Sequence, residues 1–337
     1  MDKIKAAIIG LGRIASLLED DPLREKPCTH AGALSANPDC VLTAGMDTDG
    51  KRRDLFAKRW NAGVYSDARL MLREQRPQIL VVATNPDSHA EYCRIAASAG
   101  VPLVICEKPL ADTVKNARSI VSLTQGKNFR VLVNHERRYS ENYLRARAVI
   151  GEKRLGNLLS VRALLYFGKS RRLIDVLWHD GTHLVDAIVF LSGAGIRHRL
   201  AWGADLSGGE GTAWLLGSLD GSGAGDKAGG IPCVIEAGAG RDHLVFEIEF
   251  SFSRGRLRIG NGVYEVWESA PSSYAENFRS LEKTGETFTG KTGFFANMIA
   301  DAVSCVKNPS LQPRSSARDG LAVIEYLASV KTPRGNR

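Results

Sequence analysis

Two short stretches hold the residues best suited to moving a proton. Lys108 closes an apolar run in Cys106-Glu107-Lys108-Pro109, and His179, Asp180 and His183 fall together between Trp178 and Asp186. Adding or removing a hydroxyl proton near neutral pH needs groups of this kind beside the reacting carbon. A partly desolvated lysine gives up its proton more readily than one in water, and as the ammonium form it can donate to a forming alkoxide. The alternative for Lys108 is a surface lysine paired with Glu107. Asp180 lies three residues before His183 and His179 four, so on a helix either side chain comes near the His183 ring. Two histidines four apart can also share a metal ion. The spacing is not HExxH and no third ligand follows nearby, so no metal is assigned.

Proton transfer at carbon-bound hydroxyls is commonly paired with hydride transfer, and Ile4 to Ala15, IKAAIIGLGRIA, reads as the place for a hydride carrier. A buried strand runs into Gly10-Leu11-Gly12 and helix-compatible residues follow, which is the opening of a nucleotide-binding βαβ unit. Gly10 permits the turn and Gly12 permits backbone to approach a pyrophosphate. The amides of Arg13 and Ile14 are expected at a positive helix N-terminus. A second apolar run, Val41 to Met46, ends on Asp47, whose carboxylate can take both ribose hydroxyls and would repel a 2′-phosphate. The alternative for Asp47 is a solvated turn. Asp47 stands 35 residues after Gly12, where about 20 is usual, so an insertion near Glu19 to His30 is expected to interrupt the first helix. NAD is therefore expected over NADP, although Lys51, Arg52 and Arg53 could reach a phosphate.

These residues need a scaffold. Apolar runs at Ile79 to Ala83, Pro102 to Cys106 and Val131 to Val133 alternate with helical stretches near Arg52 to Trp60, Tyr65 to Leu72 and His89 to Ala99. That alternation predicts a parallel, doubly wound sheet over residues 1–133. Thr84, Asn85 and Glu107 then sit in loops at strand carboxyl ends, where ligands bind in such sheets. His89 opens a helix beside the cofactor cleft and is either a cofactor-side residue or a packing residue.

GLGRIA at the start, TNPDSHAEY at 84 to 92, CEKPLA at 106 to 111 and GTHLVD at 181 to 186 together resemble the Gfo/Idh/MocA family of sugar and cyclitol dehydrogenases. The EKP tripeptide after a strand, in register with the rest, is the specific part. The resemblance implies a Rossmann domain followed by an α+β domain on a large open, mainly antiparallel sheet through which copies pair as a homodimer or homotetramer. It also implies that Lys108 and His183 share the catalytic proton with an aspartate four residues before the histidine. Here His179 holds that position, so Asp180 is the candidate replacement. An arginine-aromatic pair at the domain crossing matches Arg138-Tyr139, and Arg138 either holds substrate oxygens or braces the junction.

The second domain, 134–337, reads as mostly sheet. Leu158 to Phe167 is strand-like and carries Tyr166 as a further candidate for substrate contact. Leu244 to Phe252 alternates apolar and polar residues, and Asn261-Gly262 marks a hairpin. Leu206 to Gly230 reads as a glycine-rich loop. Helices are expected at Ser140 to Ile150, through Phe294 to Val303, and from Ser316, where Asp319 is placed for a capping box.

Composition agrees with an enzyme of two domains. The chain has 337 residues and a formal charge of +8, but its basic residues are scattered among 37 acidic ones in runs of at most three, which argues against nucleic acid. Six cysteines without CxxC spacing read as reduced, buried thiols of a cytoplasmic protein. The early apolar run is broken by Arg13 and does not fit a signal peptide, and no stretch has membrane-spanning length. The expected function is hydride transfer between NAD and a secondary alcohol or ketone of a sugar, cyclitol or derivative. The alternative is a non-catalytic NAD- or sugar-binding regulator on the same fold.

Overall fold

The computed structural model describes residues 2–125, 128–168, 171–220 and 230–330. The chain forms two compact units. The first combines residues 1–140 with 291–324, and the second combines 141–290 with 325–337. A late segment, 291–324, thus belongs to the first unit.

In the first unit six strands, β1 (Ile4–Ile9), β2 (Cys40–Met46), β3 (Gly63–Tyr65), β4 (Ile79–Val82), β5 (Leu103–Cys106) and β6 (Arg130–Val133), form one sheet in the order β3-β2-β1-β4-β5-β6. Every pairing in it is parallel. β4, β5 and β6 are buried at every residue, as the unbroken apolar sequences of β4 and β5 and the Val131–Val133 run of β6 require of strands covered on both faces. The crossovers carry α1 (His30–Ala36), α2 (Gly50–Trp60), α3 (Ala68–Gln75), α4 (His89–Ser98) and α5 (Val114–Leu123). The side chains of Thr29, Asp49, Asp67 and Thr113 accept first-turn amides and fix where four of these begin.

The expected helix directly after Gly12 is absent. Residues 12–16 make a single turn, a short 3₁₀ segment follows at Leu17–Asp20, and the first α-helix is α1. The interruption is an excursion closed at its base, where the His30 and Ala31 amides donate to the Ile14 and Ala15 carbonyls at 3.2 and 2.9 Å. Glu19 holds it shut by accepting from the Thr29 hydroxyl at 2.6 Å and the Cys28 amide at 3.2 Å. With Ser16 to Thr29 set aside, the step from Gly12 to Asp47 shortens to the usual ~20 residues.

The returning segment explains itself by packing. Phe295, Met298, Ile299, Ala302 and Val303 of α9 (Phe294–Lys307) lie in one core cluster with Leu34 of α1, Tyr139 and residues of β1 and β2.

In the second unit eight strands run in the order β14-β13-β12-β11-β7-β10-β9-β8. They are β7 (Leu158–Tyr166), β8 (Ile196–Gly203), β9 (Gly211–Leu219), β10 (Ile231–Ala239), β11 (Val245–Phe252), β12 (Gly255–Gly260), β13 (Tyr264–Pro271) and β14 (Arg279–Lys283). Only β7 and β10 pair in parallel. β11 alternates buried and half-buried residues as its sequence alternates apolar and polar. The stretch expected as a loop from Leu206 to Gly230 contains β9, whose Trp214, Leu215 and Leu216 pair with β10 and β8; residues 221–229 of it lie outside the described residues. Helices α6 (Glu141–Gly151), α7 (Leu173–His179) and α8 (Gly181–Ser192) also belong to this unit. The last helix, α10 (Ala317–Ser329), is divided between the units after Ile324. Its capping box forms as expected, with the Asp319 carboxylate accepting the Ser316 amide at 2.7 Å.

Candidate active-site residues in two units

Within the first unit the loops at the carboxyl ends of β1, β2, β4 and β5 are tied to one another. Gly10 has φ +85°, and a Cβ on it would fall 2.7 Å from the Ala83 carbonyl oxygen and 2.9 Å from Thr84 Cγ2, so only glycine fits there. Gly12 differs, since a Cβ there would meet only the Arg52 guanidinium at 3.9 Å. Its backbone is open to a ligand. Among the described residues, the amides of Arg13 and Ile14 donate to no other group. They lie in a turn and not at a helix N-terminus, so the helix dipole expected behind them is missing and the amides alone would meet an anion.

Asp47, at the end of β2, is buried. Its Oδ2 accepts the Leu11 amide at 2.8 Å and its Oδ1 accepts the Asp49 amide at 2.9 Å. Each oxygen keeps a lone pair for a further donor. Arg52 Nη1 stands 3.6 Å from Oδ2, and Arg53 donates to the Asp47 carbonyl at 2.7 Å. The donor set suits the adenosine end of a dinucleotide: a carboxylate at the strand end, an unblocked glycine and two open amides.

Glu107 is also buried. Its Oε1 takes a hydrogen bond from Asn134 Nδ2 at 2.6 Å and lies 2.7 Å from His30 Nε2. Its Oε2 accepts the Lys108 amide at 3.2 Å. Burial pushes the Glu107 carboxyl upward, but the hydrogen bond and charge of His30 and the Asn134 donor outweigh it and hold the group below its ordinary value. The Glu136 carboxyl shifts the other way, because burial and the nearby Glu107 charge favour its neutral form. Lys108 is half-buried on this supported loop. His30 and Asn134 escaped the sequence reading. Asn134 looked like crossing loop, and the excursion moved His30 out of register with the glycine motif.

His89 is fully buried, with Nδ1 3.1 Å from the Pro109 carbonyl and Nε2 3.1 Å from the Thr84 carbonyl. Its ring spans the loops after β4 and β5. The Thr84 hydroxyl accepts from Ser88 at 2.7 Å, and Asn85 beside it is exposed. Arg138 is buried as well. It donates to the Arg314 carbonyl at 2.9 Å and pairs with Asp319 at 3.1 Å, contacts that brace the start of α10.

The second unit holds the other candidates. α7 ends at His179 and α8 starts at Gly181, so Asp180 sits at a break between them. Its Oδ1 is 3.0 Å from His179 Nδ1 and its Oδ2 accepts from Arg171 at 3.1 Å. The His183 amide donates to the Asp180 carbonyl at 3.1 Å, which seats that histidine in the first turn of α8. His179 is exposed and His183 half-buried. Tyr166, at the end of β7, donates its hydroxyl to Glu236 at 2.5 Å and stacks beneath the Arg241 guanidinium at 4.7 Å. Burial, then the Glu236 hydrogen bond, raises its phenol above the ordinary value.

Residues 4–135 match the family described as an oxidoreductase family with an NAD-binding Rossmann fold, GFO_IDH_MocA. Over this stretch the chain is similar to the Gfo/Idh/MocA family. Similar proteins include an uncharacterized oxidoreductase of Schizosaccharomyces pombe, 26% identical over 205 residues, covering 57% of this chain and 53% of that protein. An inositol 2-dehydrogenase of Pseudomonas fluorescens is 32% identical over 160 residues, covering 46% and 44%. The chain thus spans about half the length of the curated relatives it matches. The likeness in fold extends further in three dimensions. The UDP-N-acetylglucosamine 3-dehydrogenase of Acidithiobacillus ferrooxidans superposes with a TM-score of 0.74 at 16% identity, covering 98% of this chain and 97% of that one. Among the described residues no His, Cys, Asp or Glu cluster has the makings of a metal site, and no helix is long and apolar enough to cross a membrane. All six cysteines are buried and unbonded.

Proposed function

We propose that this protein is an NAD-dependent dehydrogenase acting on a secondary hydroxyl of a sugar, cyclitol or related derivative. The observation that carries the reading is Asp47, a buried carboxylate locked to the glycine loop by the Leu11 amide at 2.8 Å. Asp47 would hold the adenosine ribose, while Gly12 and the amides of Arg13 and Ile14 would receive the pyrophosphate. Thr84, Asn85 and Glu107 line the same carboxyl ends of the sheet. When bound, the nicotinamide supplies the hydride acceptor. Lys108, fixed by Glu107, takes or returns the proton of the reacting hydroxyl. His183 assists, with Asp180 or His179 tuning it and Tyr166 contributing to substrate contact. Arg52 beside Asp47 would lower the penalty against a 2′-phosphate, so NADP is expected as a poorer cofactor. The substrate class follows from the inositol and UDP-sugar dehydrogenases among the similar proteins. We place the protein in the cytoplasm and expect a homodimer or homotetramer formed through the open face of the second unit's sheet, where Trp267 stands between Arg256 and Lys283.

Absorbance at 340 nm with NAD and NADP, against a panel of inositols, sugars, uronates and nucleotide sugars, tests this. Turnover that requires the dinucleotide and falls by about 10²–10⁴-fold in Lys108→Met supports it. Tight NADH binding without turnover across the panel would convert the reading to a binding regulator. Absence of NADH binding would end it.

A further inference from the structure

We propose that the first unit carries a second ligand site, specific for a phosphorylated small organic molecule, at the end of its sheet opposite the glycine loop. A cavity of about 550 Å³ lies between α3, the end of α4 and the segments that enter β4 and β5. The carboxyl ends of those two strands carry Thr84 and the Glu107-Lys108 loop. The cavity borders their amino ends, so in a parallel sheet it is a separate place.

Its lining is charged in one sense. Arg69, Arg73 and Arg76 all border it, and among the described residues none of the three side chains makes an ion pair or hydrogen bond. This sets them apart from Arg52, Arg59, Arg154 and Arg258, each of which faces a carboxylate. The nearest acids in sequence are engaged elsewhere, Glu74 by the Tyr65 hydroxyl at 3.0 Å and Asp67 by the Leu70 amide at 2.7 Å. Arg69 and Arg73 stand four apart on α3, an arrangement in which like charges oppose helix formation. An arginine in the last turn complements the helix dipole, which accounts for Arg73. Arg69 sits in the first turn, where a cation is disfavoured. A bound anion would relieve both.

The apolar part of the lining fixes the class of anion. Leu72, Ile95 and Val101 supply apolar surface. The volume falls within the range of ~300–1,000 Å³ usual for small-molecule sites. Guanidinium groups pair with phosphate oxygens through two parallel donors, so a phosphate would seat on the arginines while the organic part covers the apolar wall.

Calorimetric titration of the full chain, with NADH at saturation to fill the dinucleotide site, decides the matter. The probes are phenyl phosphate, which has both parts, and inorganic phosphate, which has one. The expected result is one equivalent of phenyl phosphate bound more tightly than inorganic phosphate. Replacing all three arginines by alanine should weaken it by at least about ten-fold with NADH binding unchanged, and Arg73→Ala alone should weaken it in the same direction. No heat with millimolar phenyl phosphate would overturn the site, as would equal affinity in the triple variant. Equal affinity for the two probes would overturn the organic class.

Discussion

Two acidic residues stand next to the proposed proton carriers, Glu107 beside Lys108 and Asp180 near His183, and the protein treats them differently. Glu107 is sealed in the first unit, with His30 and Asn134 on one oxygen and the following amide on the other. Asp180 is held at a helix break in the second unit by His179 and Arg171, which are 60% and 43% exposed. The first arrangement fixes a backbone loop. The second leaves a carboxylate among partners that water can replace. Rigidity is thus concentrated where a dinucleotide would be gripped, and adjustable charge where substrates would differ.

The largest effect should come from breaking the sealed pair. His30→Ala leaves the buried Glu107 carboxylate with only Asn134 and the Lys108 amide, and removing one partner of a buried pair typically costs about 3–5 kcal/mol. Thermal unfolding of the first unit should fall by roughly 10 °C or more. The same variant should bind NADH with intact Asp47 yet lose turnover, because the Lys108 loop loses its anchor. A variant with unchanged melting and activity would show that the loop stands without the pair. The acid limb of stability carries the same signature. A carboxyl held below its ordinary value stabilises the fold at pH above the unfolded value, and that contribution is lost as pH falls through the folded one. Glu107→Gln should therefore flatten the acid limb while lowering stability at pH 7.

How much of this contrast was legible in the sequence depends on the length scale of the signal. Continuous apolar runs announced β4, β5 and β6 because strands covered on both faces need no polar side. The alternation of Leu244 to Phe252 and the Asn261-Gly262 turn announced β11 to β13 for the same local reason. The fourteen-residue excursion was visible as surplus length, but its closure by Glu19 and Thr29 was not, since nothing local says which carboxylate a threonine will meet. His30 stayed hidden behind it. Glycines at 208, 209, 211 and 217 masked β9, whose pairing with β10 and β8 overrides a weak strand propensity. The return of α9 to the first unit is a long-range packing choice that periodicity does not encode. Arg138 shows the limit of residue type as a guide. Its motif suited a substrate contact or a brace, and the contacts to Asp319 and the Arg314 carbonyl could not be read from residue type.

A middle-sized effect is expected from His183. His183→Ala should reduce kcat by about 10²-fold or more if it shares proton transfer, with NADH affinity unchanged. The arginine on Asp180 sharpens the comparison: Arg171→Ala should change stability by less than about 1 kcal/mol, as befits a half-exposed pair, yet shift the pH profile of kcat. Loss of folding in Arg171→Ala would mean that the Asp180 cluster is as structural as Glu107.

The smallest effect concerns Glu136, the carboxyl that the sealed pair disfavours. Its value is raised by burial and by the Glu107 charge, so the folded state binds its proton more tightly than the unfolded chain does. Such a group lowers stability at pH above its raised value, and the loss is relieved as pH falls through it. Glu136→Gln, which removes the charge and keeps the shape, should therefore stabilise the first unit by about 0.5–2 kcal/mol at pH 7, with the gain shrinking as the pH approaches 4. In a His30→Ala background the Glu107 charge persists without its partner, so the same substitution should gain more. Equal gains in the two backgrounds, measured as a double-mutant cycle, would show that Glu136 responds to burial alone and that the influence of Glu107 ends at the Lys108 loop.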